Sequence, residues 1–296
     1  MGPLVPLFVA PSPVLGAAAA TSPPRVCPGA SPCATWRPLD TWSHPYSVYA
    51  TSFRPFASQP GVVAYATWMH SATTDLALYP GYEGPGVTPL SRGPEMVPLN
   101  ARTRLLATFN SGFYQADHAA GFYVNHTLYF AMVRGLATVV RYSDGTVDVM
   151  AWRGGPRPGP NVVMARQNLP LLVDRGRVNP LASNNAAWGL TLHGVAAVWR
   201  TALGIDAKGD LTYVAAPAQT SWSLAHILLE MHCVRAMELD INPEWPIFVS
   251  YAHPGAQGPS LFVPNPNQIP DRFLYSSTKD FFALYATTRP GEPQPW

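Results

Sequence analysis

The chain has 296 residues, of which 47% are hydrophobic and 12% charged, and 19 Lys and Arg against 17 Asp and Glu leave a net charge of +2. This composition supplies a sizeable core, while 33 prolines and 23 glycines interrupt it too often for long helices to dominate. Lys208 and Lys279 are the only lysines, which excludes the basic stripe by which a protein would hold nucleic acid.

In chain order, residues 1–60 read as a Pro/Ala-rich arm, signal-like or flexible. The first twenty-four residues carry no charge and end in the alanine run Ala17 to Ala20 before Thr21-Ser22-Pro23-Pro24. Prolines recur too often, and the apolar run is too short, for a transmembrane span. The small residues resemble the end of a secretory signal, although the positively charged start of such signals is missing; the expected location is extracytoplasmic or secreted. Cys27 and Cys33 either form a bridge, as an oxidising compartment allows, or remain two free thiols. No cysteine spacing reads as a zinc site.

Residues 61–290 read as one domain of class α/β (α+β), with mixed twisted β-sheets and a few packed helices behind a disordered N-terminal arm. Apolar and β-branched runs at Val62 to Trp68, Asp75 to Tyr79, Leu105 to Phe109, Gly121 to Val124, Thr127 to Met132, Thr138 to Tyr142 and Val147 to Trp152 predict strands. Asn125-His126 suits a tight hairpin and Asp144-Gly145 a type I′ turn. A further hairpin is expected at Asp206 to Gly209, between Val195 to Ile205 and Leu211 to Ala215. Leu224, Ile227, Leu228 and Met231 form one apolar stripe, predicting a helix from Ser223 to about Arg235 capped by Ser221 or Ser223 and packed on a sheet. Ala236 to Asp240 then reads as a short strand, with Glu238 and Asp240 on one face.

Three carboxylates and an amide crowd into Glu238-Leu239-Asp240-Ile241-Asn242-Pro243-Glu244, in a chain where charge is scarce. Such a cluster either forms a chemical site or caps a turn. Arg200 lies in the apolar run Val195 to Leu203, where an unpaired guanidinium would be costly. It must meet an anion, which is either a phosphate held in a bidentate fork or the carboxylate of Asp240 or Glu238. Asn110 and Asn242, each beside a turn, either bind substrate or make Asx turns. His193, next to Gly194, is a candidate for substrate contact. The cluster of oxygens has room for a divalent cation, but no cofactor is required by the sequence. No nucleophile elbow, phosphate-cradling loop or dinucleotide fingerprint is present.

Three blocks carry a resemblance to a family. Leu106-Ala107-Thr108-Phe109-Asn110-Ser111-Gly112-Phe113-Tyr114 is similar to an Asn-Gly-Gly-Phe-Phe segment of the phosphodiester glycosidases. Arg200-Thr201-Ala202-Leu203-Gly204 resembles their Arg-Thr-Ala-Ile-Gly segment. The helix from Ser223 followed by Glu238-Leu239-Asp240 lies where that family has a helix leading into Leu-Asp-Gly-Gly-Gly-Ser. The similarity spans roughly Val62 to Tyr285. It departs at Ser111, which replaces a glycine, and at Ile241-Asn242-Pro243-Glu244, which replaces the glycine run. Glycines there would let backbone N–H groups approach an anion, and Pro243 has no N–H to offer.

The resemblance implies a hydrolase cleaving a glycosyl-1-phosphodiester or related glycosidic bond in an extracytoplasmic carbohydrate such as an exopolysaccharide. Asp240 would be nucleophile or base, Glu238 or Glu244 its partner, and Arg200 the phosphate-binding cation. Asn110, Asn242, Gly112 and His193 would contact substrate. The alternative is a carbohydrate-binding or envelope-assembly protein of the same fold without turnover.

Overall fold

A computed structural model describes residues 22–28, 32–40, 42–43, 46–88, 90–91, 93–117, 121–189 and 194–287. The signal-like stretch 1–21 and His193 lie outside the described residues.

Three sheets make up the body. Sheet A has eight strands in the order β1 (Arg37–Pro38), β2 (Val48–Phe53), β3 (Ala64–Met69), β14 (Leu211–Gln219), β13 (Val198–Ile205), β15 (Arg235–Glu238), β11 (Leu171–Asp174) and β12 (Arg177–Val178). Sheet B is ordered β17 (Gln257–Leu261), β16 (Phe248–His253), β5 (Leu105–Asn110), β18 (Phe281–Ala286) and β4 (Thr74–Tyr79). Sheet C is ordered β7 (Thr127–Phe130), β6 (Phe122–Val124), β10 (Val162–Gln167), β8 (Ala137–Tyr142) and β9 (Val147–Ala151).

The expected mixed α/β sheets are corrected by this pairing. Every pairing among the described strands is antiparallel. Among the described residues one α-helix, α1 (Ser221–Glu230), accompanies them, with short 3-10 turns elsewhere. Of the described residues 37% are strand against 14% in helical turns of all kinds, which makes this a mostly-sheet structure. The reason is connection length: parallel neighbours need crossovers of a dozen or more residues, usually helical, whereas antiparallel ones need only tight turns. The frequent Gly, Pro and Asn-His or Asp-Gly turns of this chain provide the latter.

Several expected elements form near their predicted places. Asn125 and His126 both take positive φ, 48° and 63°, as a two-residue type I′ hairpin requires. At the next hairpin only Gly145 does, with φ 89°; Asp144 accepts a hydrogen bond from the Thr146 amide at 2.8 Å. That turn is a type I turn closed by a left-handed glycine, in place of the expected type I′. Helix α1 is capped by Thr220, whose side chain accepts from the Ser223 amide while Ser223 Oγ accepts from the Thr220 amide. It ends at Glu230, short of Arg235, because His232 turns left-handed at φ 61° and redirects the chain into β15.

Order also starts before residue 61. β1 and β2 pair at the edge of sheet A, Val26 is fully buried with the apolar face of α1, and Cys27 is bridged to Cys33.

The strands read as nearly continuous apolar runs because both of their faces are covered. Leu76, Leu78, Leu106, Phe109, Val139, Leu203, Met237 and Phe282, drawn from all three sheets, meet in one central cluster. Their alternating neighbours pack outward under α1 (Ala202, Ala236), under the turn containing Phe273 (Ala77, Tyr79) or against Trp152 (Val140). Gly204, the last residue of the Arg-Thr-Ala-Leu-Gly block, belongs to this packing: a Cβ there would sit 2.4 Å from Cys233 Sγ and 3.2 Å from Ala236 Cβ. Its role is to let β13 lie close to β15.

Candidate active site

Strand ends from all three sheets converge. Sheet B brings Asn110, at the end of β5, beside Phe281 at the start of β18. Sheet A brings Arg200 and Thr201 on β13 next to Glu238 on β15, and Ala202 pairs with Glu238. Sheet C ends β10 in Arg166-Gln167, with Asn168 following.

Met237 and Leu239 point into the central core, which leaves Glu238 and Asp240 together on the other side, as strand alternation predicts. Each faces its own cation. Arg200 Nη1 donates to Glu238 Oε2 at 2.6 Å, and both side chains are 0% exposed. The same guanidinium donates to the carbonyls of Gln219 and Trp188 at 2.8 and 3.3 Å. Of the two fates open to Arg200 in the sequence, the internal carboxylate partner is therefore the one formed.

Asp240 pairs with Lys279, and both are buried. Its Oδ1 accepts from the Asn242 amide at 2.9 Å, which fixes the carboxylate plane. Thr201 ties Asn110 to this acid: its hydroxyl accepts from Asn110 Nδ2 at 2.9 Å and from the Asp240 amide at 2.9 Å. Asn110 Oδ1 in turn accepts from Tyr213 at 2.8 Å. Asn110 is thus a buried structural amide coupled to Asp240 through one hydroxyl.

The end of β10 clamps the remaining parts. Asn168 Nδ2 donates to the carbonyls of Glu238 and Leu239 at 2.6 and 2.9 Å, and its Oδ1 accepts from the Phe113 amide at 3.3 Å. Arg166 pairs with Asp280 at 2.8 Å and donates to the Phe113 carbonyl at 2.6 Å. Gly112 passes so near Asn168 that a Cβ would lie 3.1 Å from its Oδ1. The glycine serves this close packing.

Aromatic rings cover the Asp240–Lys279 pair. Lys279 Nζ lies 4.9 Å from the ring centroids of both Tyr114 and Trp245, which meet edge to face at 6.4 Å. Arg272 stands 5.1 Å from the Trp245 centroid. Tyr114, Trp245 and Arg272 are half-buried, and Tyr82 and Glu83 are exposed beside them. Burial foremost, with Glu83, Asp280 and Asp240 nearby, pushes the Tyr114 phenol up to about 12. Asn242 and Glu244 sit on the exposed turn after Asp240, where Asn242 Oδ1 accepts from the Glu244 amide at 3.0 Å. Among the described residues, no three His, Cys, Asp or Glu side chains gather as metal ligands.

Burial raises both acids. Glu238 is pushed up to about 7, since desolvation outweighs the pull of Arg200 and Asp240 adds repulsion. Its second oxygen meets no donor among the described residues. Asp240 is raised by burial against the opposing effect of Lys279. A carboxyl with a raised folded pKa stabilises the fold fully below its unfolded value, near 4.5, and that contribution disappears as pH climbs through about 7. The unfolding free energy obtained from urea titration is therefore expected to drop across this window by up to about 3 kcal/mol, at 1.36 kcal/mol per unit of pKa difference between folded and unfolded states, lowering the midpoint with it. Glu238→Gln should flatten the slope, and a wild-type midpoint that is level from pH 5 to 8 would refute it.

A cavity of about 380 Å³ lined by Ser71, Asp144, Lys208 and Thr287 lies at the opposite ends of the same strands. The ion pairs described above do not reach it.

Lys279, Asp280, Arg166, Asn168, Tyr114, Trp245 and Arg272 were not among the site residues expected from the sequence. One signal was legible: Lys279-Asp280 is an adjacent pair of opposite charges at the start of an apolar strand. Another was Arg166-Gln167-Asn168, three polar residues closing one.

Residues 103–240 match the family model described as phosphodiester glycosidase. A search of curated protein sequences found no match. Among solved structures, the catalytic domain of zebrafish N-acetylglucosamine-1-phosphodiester alpha-N-acetylglucosaminidase, auto-inhibited by its pro-peptide, superposes with a TM-score of 0.52 at 17% identity, over 86% of this chain and 88% of that chain. A protein from Synechocystis gives a TM-score of 0.49 at 12% identity, over 87% of this chain and 64% of that chain. The zebrafish domain shares the fold.

Proposed function

From the phosphodiester glycosidase segment that residues 103–240 constitute, we propose that this protein hydrolyses a glycosyl-1-phosphodiester or related glycosidic bond in a carbohydrate outside the cytoplasm. The observation that carries the reading is Asp240. It is the acid that aligns with the family's Leu-Asp segment, and it is held against Lys279 at the convergence of all three sheets beneath the rim of Tyr114 and Trp245.

Cleavage at an anomeric carbon needs a carboxylate opposite the bond. Asp240 fills that role, kept in one orientation by the Asn242 amide and by Lys279. The departing phosphate monoester is a weak base, with a second pKa of roughly 6, so it needs charge neutralisation more than protonation. Lys279 supplies positive charge next to the acid. Of the two partner acids, Glu244 is on the exposed turn and open to substrate, whereas Glu238 is enclosed with Arg200 and acts by holding β13 and β15 together. Asn110 and Gly112 position Asp240 from within, through Thr201 and Asn168. Asn242 is exposed on the turn after Asp240, and His193 remains a candidate contact outside the described residues. The Cys27–Cys33 bridge supports an extracytoplasmic setting, since it suits an oxidising compartment. Among the described residues no helix is long and apolar enough to cross a membrane.

A second reading, carbohydrate binding without turnover, is favoured by the near-complete enclosure of Glu238 and Asp240 and by Ile241-Asn242-Pro243-Glu244 standing where the family has glycines. Purified protein assayed against a panel of sugar-1-phosphodiesters, with and without chelator, decides between them. Release of free sugar from at least one member is expected. Binding with no release from any member would select the second reading.

A further inference from the structure

Arg272 differs from the other cations around this site. Arg166 and Arg200 are spent on Asp280 and Glu238, and Lys279 on Asp240. The Arg272 guanidinium, by contrast, has no ion pair and no hydrogen-bond acceptor among the described residues; it stacks 5.1 Å from the Trp245 centroid and 5.9 Å from that of Phe273. It is also partly desolvated, which lowers its pKa, and the phenols of Tyr114 and Tyr82 are its electrostatic neighbours. A guanidinium offers five donors in a planar fork matched to phosphate oxygens. Holding one half-buried without an acceptor has a desolvation cost that an anionic ligand would offset.

We propose that Arg272, half-buried beside the Trp245 ring that also covers Lys279, is the phosphate-binding residue of this site and selects a singly charged phosphodiester over a doubly charged monoester. The inference rests on the hydrolase reading for its substrate and replaces Arg200 in the role first expected of it. The charge balance gives the selectivity. Lys279 is matched by Asp240 and Arg166 by Asp280, so one positive charge remains for the ligand, and exposed Glu83 beside Tyr114 disfavours a second negative one. Trp245, whose ring the guanidinium already overlies at 5.1 Å from the centroid, offers its face to the group esterified to that phosphate. After cleavage, the monoester product carries more negative charge than the site can match, which favours its release.

The test is binding of dimethyl phosphate, followed by phosphorus NMR line broadening, to wild type, Arg272→Gln, Arg272→Lys and Asp240→Asn, with methyl phosphate as the monoester comparison. Among the described residues Arg272 makes no side-chain hydrogen bond and only ring contacts, so Arg272→Gln is expected to fold normally, which thermal unfolding checks. Wild type should bind the diester more tightly than the monoester, and Asp240→Asn, whose unmatched Lys279 adds a positive charge, should still bind the diester with that preference narrowed. Arg272→Gln should bind it about 10- to 100-fold more weakly, the range for a lost charge-assisted hydrogen bond, and Arg272→Lys should recover part of the loss. Equal binding by wild type and Arg272→Gln, preference for the monoester, or no binding by wild type would each overturn the proposal. Arg272-dependent binding without sugar release from any diester would leave this site standing and remove the hydrolase reading. Release unaffected by Arg272→Gln would do the reverse.

Discussion

Asp240→Asn is expected to lower turnover of the best-cleaved sugar-1-phosphodiester by about 10²- to 10⁴-fold, the range for losing a positioned acid–base group. An asparagine can still accept from the Asn242 amide, so the turn that fixes residue 240 is retained. What it loses is the negative charge facing Lys279. Because Lys208 is exposed and Lys279 buried, acylation mapped by mass spectrometry reports the second event separately. Lys279 should become modifiable in Asp240→Asn while Lys208 is unchanged. A variant with its ammonium newly exposed and turnover still at wild-type level would take Asp240 out of the chemistry.

Arg200→Met is expected to act on stability first. It leaves Glu238 enclosed without its cation and frees the carbonyls of Gln219 and Trp188. Removing one partner of a buried pair costs about 3–5 kcal/mol, a large share of the roughly 5–15 kcal/mol that holds a domain folded. The urea midpoint should fall accordingly. Arg200→Met with Glu238→Leu should recover much of it, since replacing both members by apolar groups removes the enclosed carboxyl left without a partner. Were Arg200 a phosphate ligand, the single variant would instead lose substrate affinity at unchanged stability, and that outcome would reverse the structural role assigned to it here.

Much of the fold was legible because strands and turns are local. The apolar runs from Asp75, Leu105, Thr138 and Val147 become β4, β5, β8 and β9 within a residue or so of their predicted bounds. The positive φ at Asn125 and His126 belongs to the hairpin that the dipeptide suggested. What misled was partnership. Strands near a sheet edge, such as β2, carry few distinctive residues, so Val48 to Phe53 reads as part of an arm until β3 is beside it. Helix α1 looked longer than it is because Met231 continues the apolar stripe, while the left-handed turn at His232 has no glycine to announce it.

For the site, the same division holds residue by residue. The sequence alone singled out the segments that meet at the candidate site: the Asn110, Arg200 and Asp240 blocks, with the amphipathic helix that precedes the last. These are short-range patterns of charge, glycine and apolar period. The tertiary structure alone decided which charge each residue meets: Arg200 with Glu238, Asp240 with Lys279, Arg166 with Asp280, and Arg272, among the described residues, with aromatic rings alone. The physical reason is that an ion pair depends on distance in space and on exclusion of water. Both are set when the ends of three sheets, far apart along the chain, close around the same few side chains.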